Sequence, residues 1–413
     1  MWTRYLIQCS ACEKITNLRV QIPEREILPI NFQCLNCSSE IKGVLKVDFK
    51  KSAWSFDLTR GELAPGDYKD GDFFYEFSDV LPTKKPSRET HAKLMPTMRL
   101  PGKMFEILKT KKDLRKLHPN EDWGNLKDLT RAYNRFDKPL IEKLAYKILK
   151  NFYGTNFFEY KSDLDYHRNY FLSLNRLMSS WINFNNHAEY VEWLCSVIFT
   201  PQNHTNPEIT AFINEIFDPN VTDKIKLDIA ELTLRFIELR EYFFYAVGSE
   251  NADDNYAALN NFNELKSFYT DCFEFIGRIS QYIFNIQNFH ERGALNRIPP
   301  GCPRNVIDGK SFSELNHGEK LNVLNLSSDN PLQLLLRDCF DSRLRNGINH
   351  FKAKLDPDSQ IIYYYPVTKR PEEEHQISYI SFLNKSLDLF NSVLKIGQLA
   401  KVVNMYRFTI NRS

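Results

Sequence analysis

The 413-residue sequence predicts a mainly α fold: a C-terminal helical bundle with a short β insert, preceded by further helices and by a small N-terminal β module organised around four cysteines. Three features carry that expectation. Two Cys-x2-Cys pairs fall within the first 37 residues, among β-branched, alternating segments. Apolar residues recur at spacings of three and four through most of the chain after Lys103. A strand-like "IIYYY" at 361–365 interrupts the helical pattern late in the chain.

Hydrophobic residues make up 42% of the chain and charged residues 26%, the balance of a globular protein able to bury a core over two or three domains. Lys and Arg number 54 against 52 Asp and Glu, and a net charge of +2 neither favours nor excludes nucleic acid. The distribution is less even. Between Lys84 and Lys116 there are 11 Lys and Arg against 3 Asp and Glu, which reads as a solvated face, with a strip tracking nucleic acid as the alternative. The opening "MWTRYLIQCSACEK" lacks the basic and long apolar regions of a secretion signal, and no stretch approaches the ~20 apolar residues of a membrane span. A cytoplasmic location without membrane contact is expected. Thiols stay reduced there, so the eight cysteines read as metal ligands or core residues rather than disulfides.

The elements follow in order. "KITNLRVQIP" and "IKGVLKVDF" have the alternation of short strands, so residues 1–58 read as a small β module. Residues 59–102 are rich in turn formers ("RGELAPGDYKDGD", "LPTKKP", "MPTMRLPG") and predict an extended connection with limited regular structure. A helical middle region, 103–220, and a helical domain, 221–413, complete the chain. Helical periodicity falls at 140–153, 170–184, 188–199, 223–247, 256–290, 331–351 and 376–406.

Cys9-x2-Cys12 and Cys34-x2-Cys37, with 21 residues between the pairs, can aim four sulfurs at one tetrahedral ion about 2.3 Å away. The pattern suits a zinc ribbon with a hairpin between its knuckles. Four thiolates leave no open coordination position, so the zinc would be structural rather than a source of hydroxide. Cys195, Cys272, Cys302 and Cys339 stand alone and read as core residues.

From Pro331 an apolar stripe runs through Leu332, Leu335, Leu336, Cys339, Phe340, Leu344, Ile348 and Phe351. Arg345, Asn346 and His350 fall off it. Asn346 and His350, four apart, share a face, whereas Arg345 is turned about 140° from His350 and needs its long stem to reach the same place. Such a set suits phosphodiester chemistry on RNA. Imidazole, with a reference pKa of ~6.5, can exchange a proton with the 2′-hydroxyl or the leaving 5′-oxygen, and a guanidinium can hold the phosphate bidentately. A helix end carrying one cation and one histidine is the plainer alternative.

The segment Arg345-Asn346-Gly347-Ile348-Asn349-His350 resembles the R-x4–6-H motif of the HEPN superfamily, in which a polar residue, often Asn, follows the Arg. The context is also similar: the motif lies late in a helical domain, and a strand-like insert like "QIIYYYPV" precedes a final amphipathic helix like "ISYISFLNKSLDLFNSVLKIGQLAKVV". The resemblance covers residues from about 223 to 406, and its one sharp motif is six residues long. It implies a metal-independent endoribonuclease acting on single-stranded RNA, tRNA or mRNA among the targets, in phage defence, stress response or a toxin–antitoxin pair. His350 would be the acid/base residue, Arg345 the phosphate holder, and Asn346 would orient the pair or touch the substrate. Arg343, at R-x6-H spacing and about 20° from His350, competes with Arg345 for that role. Two such motifs usually meet in the family, so one copy implies a homodimer, and a regulatory protein or phage-derived trigger is a further implied partner. Some members are inactive scaffolds or nucleotide binders.

Other motifs carry less. "GCPRNVIDGKS" ends like a phosphate loop but has Arg304 where Gly is required. "DYKDGD" at 67–72 lacks the later Glu of a calcium loop and reads as a polar turn. Two readings stand beside the nuclease: a non-catalytic zinc-ribbon and helical binding or adaptor protein, and a toxin held by an antitoxin.

Overall fold

The computed structural model describes residues 2–23, 26–67, 71–78, 120–150, 158–178, 219–247, 261–293, 312–324, 340–349, 353–356, 359–366 and 373–410, with isolated positions between. His350, Cys302, Cys339, the basic stretch 84–116, the loop 301–311 and most of 188–199 lie outside the described residues. The protein is mainly α with small β sheets, eight helices being present among the described residues. None of them is long and apolar enough to cross a membrane.

The chain forms two compact units, one of Met1–Lys109, Leu239–Leu265 and Asn346–Lys385, the other of Thr110–Glu238, Lys266–Arg345 and Ser386–Ser413. In the first, β1 (Trp2–Gln8) and β2 (Ile15–Gln21) form an antiparallel hairpin, and so do β3 (Ile27–Gln33) and β4 (Glu40–Asp48), which β5 (Ala53–Arg60) extends. Alternation drives the packing: Leu28, Ile30 and Phe32 of β3 are buried while Ile27, Pro29 and Asn31 are exposed. Their apolar faces meet in one core with Ile7, Leu18, Val20, Leu45, Phe56 and Phe77.

The sheet of β1 and β2 gains β6 (Glu62–Leu63) on one edge and, on the other, β7 (Phe73–Phe77) parallel to β2. All five residues of β7 are buried. It falls inside 59–102, where turn formers pointed to limited regular structure; the aromatic "FFYEF" was the strand signal there. Its register puts Glu76 opposite Arg19 in a buried ion pair, with the Arg19 guanidinium also over the rings of Trp2 and Phe74 at 5.7 and 5.2 Å. The polar turn before β7 has a structural role. Asp72 accepts from the Ile15 backbone N–H at 2.8 Å and pairs with Lys14 at 2.9 Å, which together hold its carboxyl below the usual range.

In the same unit β8 (Lys354–Asp356), β9 (Ile361–Tyr364) and β10 (His375–Ser378) form a small antiparallel sheet, so the strand-like "IIYYY" is a strand. Gln360 ties this sheet down, since its side chain exchanges two 2.7 Å hydrogen bonds with the Ala257 backbone.

The second unit is helical. Helix α1 (Asn120–Asn134), absent from the predicted helices, buries Leu126, Leu129, Ala132 and Tyr133 on one face. Helix α2 (Lys138–Leu149) starts where Asp137 accepts from the Leu140 N–H at 3.3 Å, and α3 (Asp163–Met178) packs against both. Helices α4 (Pro219–Val247), α5 (Phe262–Arg292), α6 (His317–Leu324), α7 (Ser342–Gly347) and α8 (Tyr379–Ile410) follow. Phe236 of α4 stacks on Phe390 of α8 at 4.6 Å, and both approach Phe268 of α5. Of the predicted helix 331–351, only residues 340–349 are among those described. Phe340 and Asp341 are outside helix, and Asp341 caps α7, accepting from the Leu344 N–H at 3.0 Å.

Candidate functional site

The cysteine quartet is assembled by two hairpin turns of the same design. Cys9 N–H donates to the Lys14 carbonyl and Cys34 N–H to that of Ser39, both at 2.9 Å. The Glu13 and Ser38 N–H groups return to the Cys9 and Cys34 carbonyls at 2.9 and 2.8 Å. Each turn closes through a left-handed residue four positions after its first cysteine, Glu13 at φ 60° and Ser38 at φ 57°. That backbone curl folds each pair of sulfurs toward the other pair. The expected hairpin between the knuckles is not what forms: β2 and β3 pair in different sheets, and each knuckle is itself a hairpin tip.

Cys9 lies 3.6 Å from Cys37 and Cys12 lies 3.6 Å from Cys34, sulfur to sulfur, and all four sulfurs are within 4.8 Å of one another. Sulfurs at 2.3 Å from a tetrahedral zinc would stand about 3.8 Å apart, so the cluster can hold a metal ion such as zinc. Ser39, by hydrogen bonding, lowers the Cys37 thiol to about 6, while burial raises Cys34 to about 12. A bound cation would draw the proton from either. Cys272 is buried in α5, as expected of a core residue, and Cys195 is half-buried.

Helix α7 carries Arg345 and Asn346. Leu344 and Ile348 are fully buried, Arg343 is exposed, and Arg345 and Asn346 are half-buried, so the polar pair stands off the apolar stripe as expected. The Arg345 side chain is 21% exposed and forms an ion pair with Glu274 of α5, its Nε donating to Oε1 at 2.9 Å. Glu274 was not a candidate; an acid among the apolar positions of a long helix gives no sign in sequence of the cation it meets. Gly347, between Asn346 and Ile348, permits a close approach: a Cβ there would lie 2.4 Å from Cδ2 of Tyr364 in β9. His350 is outside the described residues.

A second polar constellation lies in the helical unit. Lys226 of α4 contacts Asp223 at 3.0 Å and the Nε2 of His167 at 3.2 Å, and His167 Nδ1 lies 2.8 Å from the Tyr133 hydroxyl. An ammonium facing Nε2 requires that nitrogen to accept, which places the imidazole proton on Nδ1, donated to Tyr133. Burial first, and the Lys226 charge second, lower the His167 pKa to about 4. The Phe136 ring, 5.4 Å away, helps to bury the imidazole, so His167 is a neutral hydrogen-bonding link at physiological pH.

No protein-family model matches the chain, and neither curated proteins nor solved structures yielded a match to it.

Proposed function

We propose that the protein is a metal-independent endoribonuclease of HEPN type. His350 exchanges the proton of the attacking 2′-hydroxyl, Arg345 holds the phosphate, and Asn346 orients the pair. The observation that carries this reading is the placement of Arg345 and Asn346 on α7, off a stripe whose Leu344 and Ile348 are fully buried. Both side chains are half-buried beside that stripe and keep part of their surface open to solvent. Glu274 adds support, because a carboxylate at 2.9 Å restrains a guanidinium that would otherwise sample many rotamers. The four N-terminal cysteines hold a structural zinc in this reading, and the active form is a homodimer in which two motif copies complete one site. Phage defence or a stress response is the setting, with single-stranded RNA as substrate.

The Arg345–Glu274 pair also favours a second reading. A guanidinium engaged by a carboxylate is a common structural link, and on that view the chain is a non-catalytic zinc-bearing adaptor. Incubating purified protein with a mixed RNA pool, beside His350→Ala, separates the two: the nuclease reading expects fragments with the native chain only. Cleavage that persists in His350→Ala, or is absent from both, rejects it.

A further inference from the structure

In the helical unit, one face of α2 and of the turn that follows it is left to solvent. Lys143, Lys147 and Lys150 are exposed along it. A step of about 100° per residue brings the three within about 60° of one another around the axis, and they span about 10 Å along it. Lys150 keeps the right-handed helical conformation with its N–H donated to the Tyr146 carbonyl, and the Tyr153 N–H donates to the Leu149 carbonyl at 3.2 Å, so the curl continues past Leu149. Leu140, Tyr146 and Tyr153 flank the lysines and are 37%, 44% and 38% exposed. Three of the seven large apolar side chains exposed among the described residues are thus gathered on this one face.

The charges around the strip are committed elsewhere. Lys138, on another side of α2, pairs with Asp163 at 2.6 Å and lies over the rings of Phe136 and Tyr166 at 5.3 and 5.5 Å. Asp137 caps the helix at the Leu140 N–H, and Glu142 accepts from the Tyr166 hydroxyl at 2.7 Å. Lys143, Lys147 and Lys150 make no ion pair among the described residues. Cations near the end of a helix offset its dipole, which accounts for Lys147 and Lys150 but not for the apolar surface beside them. Tyr146 is also held in place, its ring meeting Phe158 edge to face at 4.9 Å. Uncompensated cations in a row, with fixed rings beside them, form the pairing that grips a single strand of nucleic acid: phosphates on the lysines, unpaired bases on the rings. An acidic peptide would use the charges and leave the rings idle.

We propose that this face of α2 binds a single-stranded nucleic acid, with Lys143, Lys147 and Lys150 on its phosphates and Tyr146 and Tyr153 stacking on its bases. The inference rests on α2 alone and is independent of the RNA-cleaving reading.

Fluorescence anisotropy of the full chain tests it, with a labelled 2′-O-methyl RNA of about twelve nucleotides, which 2′-hydroxyl chemistry cannot cut, and DNA of the same sequence. The triple variant Lys143→Gln, Lys147→Gln, Lys150→Gln should bind about tenfold or more weakly. It should also lower the slope of log affinity against log salt by about 2, the value for three lost phosphate contacts. Tyr146→Ala should weaken binding about fivefold or more, whereas Tyr146→Phe, which keeps the ring and its contact with Phe158, should bind like the native chain. RNA binding at least as tightly as DNA joins the face to the proposed substrate, and tighter DNA binding gives it a ligand of its own; either supports the site. Failure of both strands to bind, or unchanged affinity and slope in the triple variant, overturns the proposal, whatever the chain does to a cleavable RNA. Polyglutamate or phosphatidylserine vesicles binding through the same lysines when neither strand binds also overturn it, assigning the face to an acidic protein or a membrane surface.

Discussion

Arg345 of α7 donates from Nε to Oε1 of Glu274 of α5 at 2.9 Å, so the cation of the motif is held by a carboxylate that lies 71 residues earlier in the chain. The pair is partly exposed, its side chains being 21% and 33% accessible, and such pairs contribute at most about 1 kcal/mol to stability. If its purpose is to aim Arg345 at a phosphate, Glu274→Gln should lower kcat for RNA cleavage about tenfold or more while leaving the melting temperature within a few degrees of the native value. A purely structural link predicts unchanged kcat with a comparably small thermal shift, so the kinetics distinguish the two.

The chemistry has its own signature. On the proposed reading, attack by the 2′-hydroxyl should leave 2′,3′-cyclic phosphate and 5′-hydroxyl ends, DNA should resist, and a chelator that spares the cysteine cluster should not inhibit. Arg345→Ala should abolish cleavage with the fold retained. Arg343→Ala is the control, since Arg343 is exposed on α7. End analysis of the products and activity of both variants settle which arginine acts; loss in Arg343→Ala alone would move the role to that residue.

The cysteine geometry predicts one zinc per chain. Elemental analysis of protein purified under reducing conditions should give a stoichiometric ion, and Cys9→Ser or Cys34→Ser should lose it. These two sulfurs belong to residues 1% exposed, so their loss also removes support from the core they share with Ile7, Phe32 and Ile41. An intact ion in either variant would exclude the quartet as its site.

Gly347 predicts a steric effect. A methyl there would meet the Tyr364 ring at 2.4 Å and its Cβ at 3.1 Å, and overpacking of this kind costs about 1–3 kcal/mol. Gly347→Ala should show that loss in denaturant titration, and a smaller residue at position 364 should recover part of it, giving a measurable coupling in a double-mutant cycle. Additive effects would mean that the two do not touch in solution.

His167 predicts a pH dependence. An imidazole protonates near 6.5 in the unfolded chain and, buried against Lys226, only near about 4 in the folded one. As pH falls through this window the unfolded state takes up the proton first, so stability declines between these values and levels off below them. The full loss is on the order of 3 kcal/mol. Unfolding free energies at pH 7 and pH 5 should differ less in His167→Gln than in the native chain; identical slopes would show that His167 does not contribute.

The sequence by itself determined the local features. The spacing of four cysteines named a cluster that could hold a metal ion, alternation located β2 and β4, and apolar periodicity located most of α4, α5 and α8, because each of these depends on neighbours within a few residues. The polar character of Arg345 and Asn346 was legible for the same reason: an apolar stripe defines its own complement. Strand β7 and helix α1 were less visible, one for want of a partner strand in view and the other amid a charged, weakly periodic stretch.

Tertiary structure alone decided which distant groups meet. Nothing in the one-dimensional pattern could join Arg345 to Glu274, Arg19 to Glu76, or Tyr133 to His167 and Lys226, since each pairing is set by how elements pack after the chain has folded. The face of α2 shows both contributions. Helical spacing put Lys143, Lys147 and Lys150 on one side, but only packing decided that Leu140 and Tyr146 stay exposed beside them while Lys138 is taken by Asp163. Local spacing sets which residues share a face, whereas burial, which belongs to the folded chain, sets which face is left to meet a ligand.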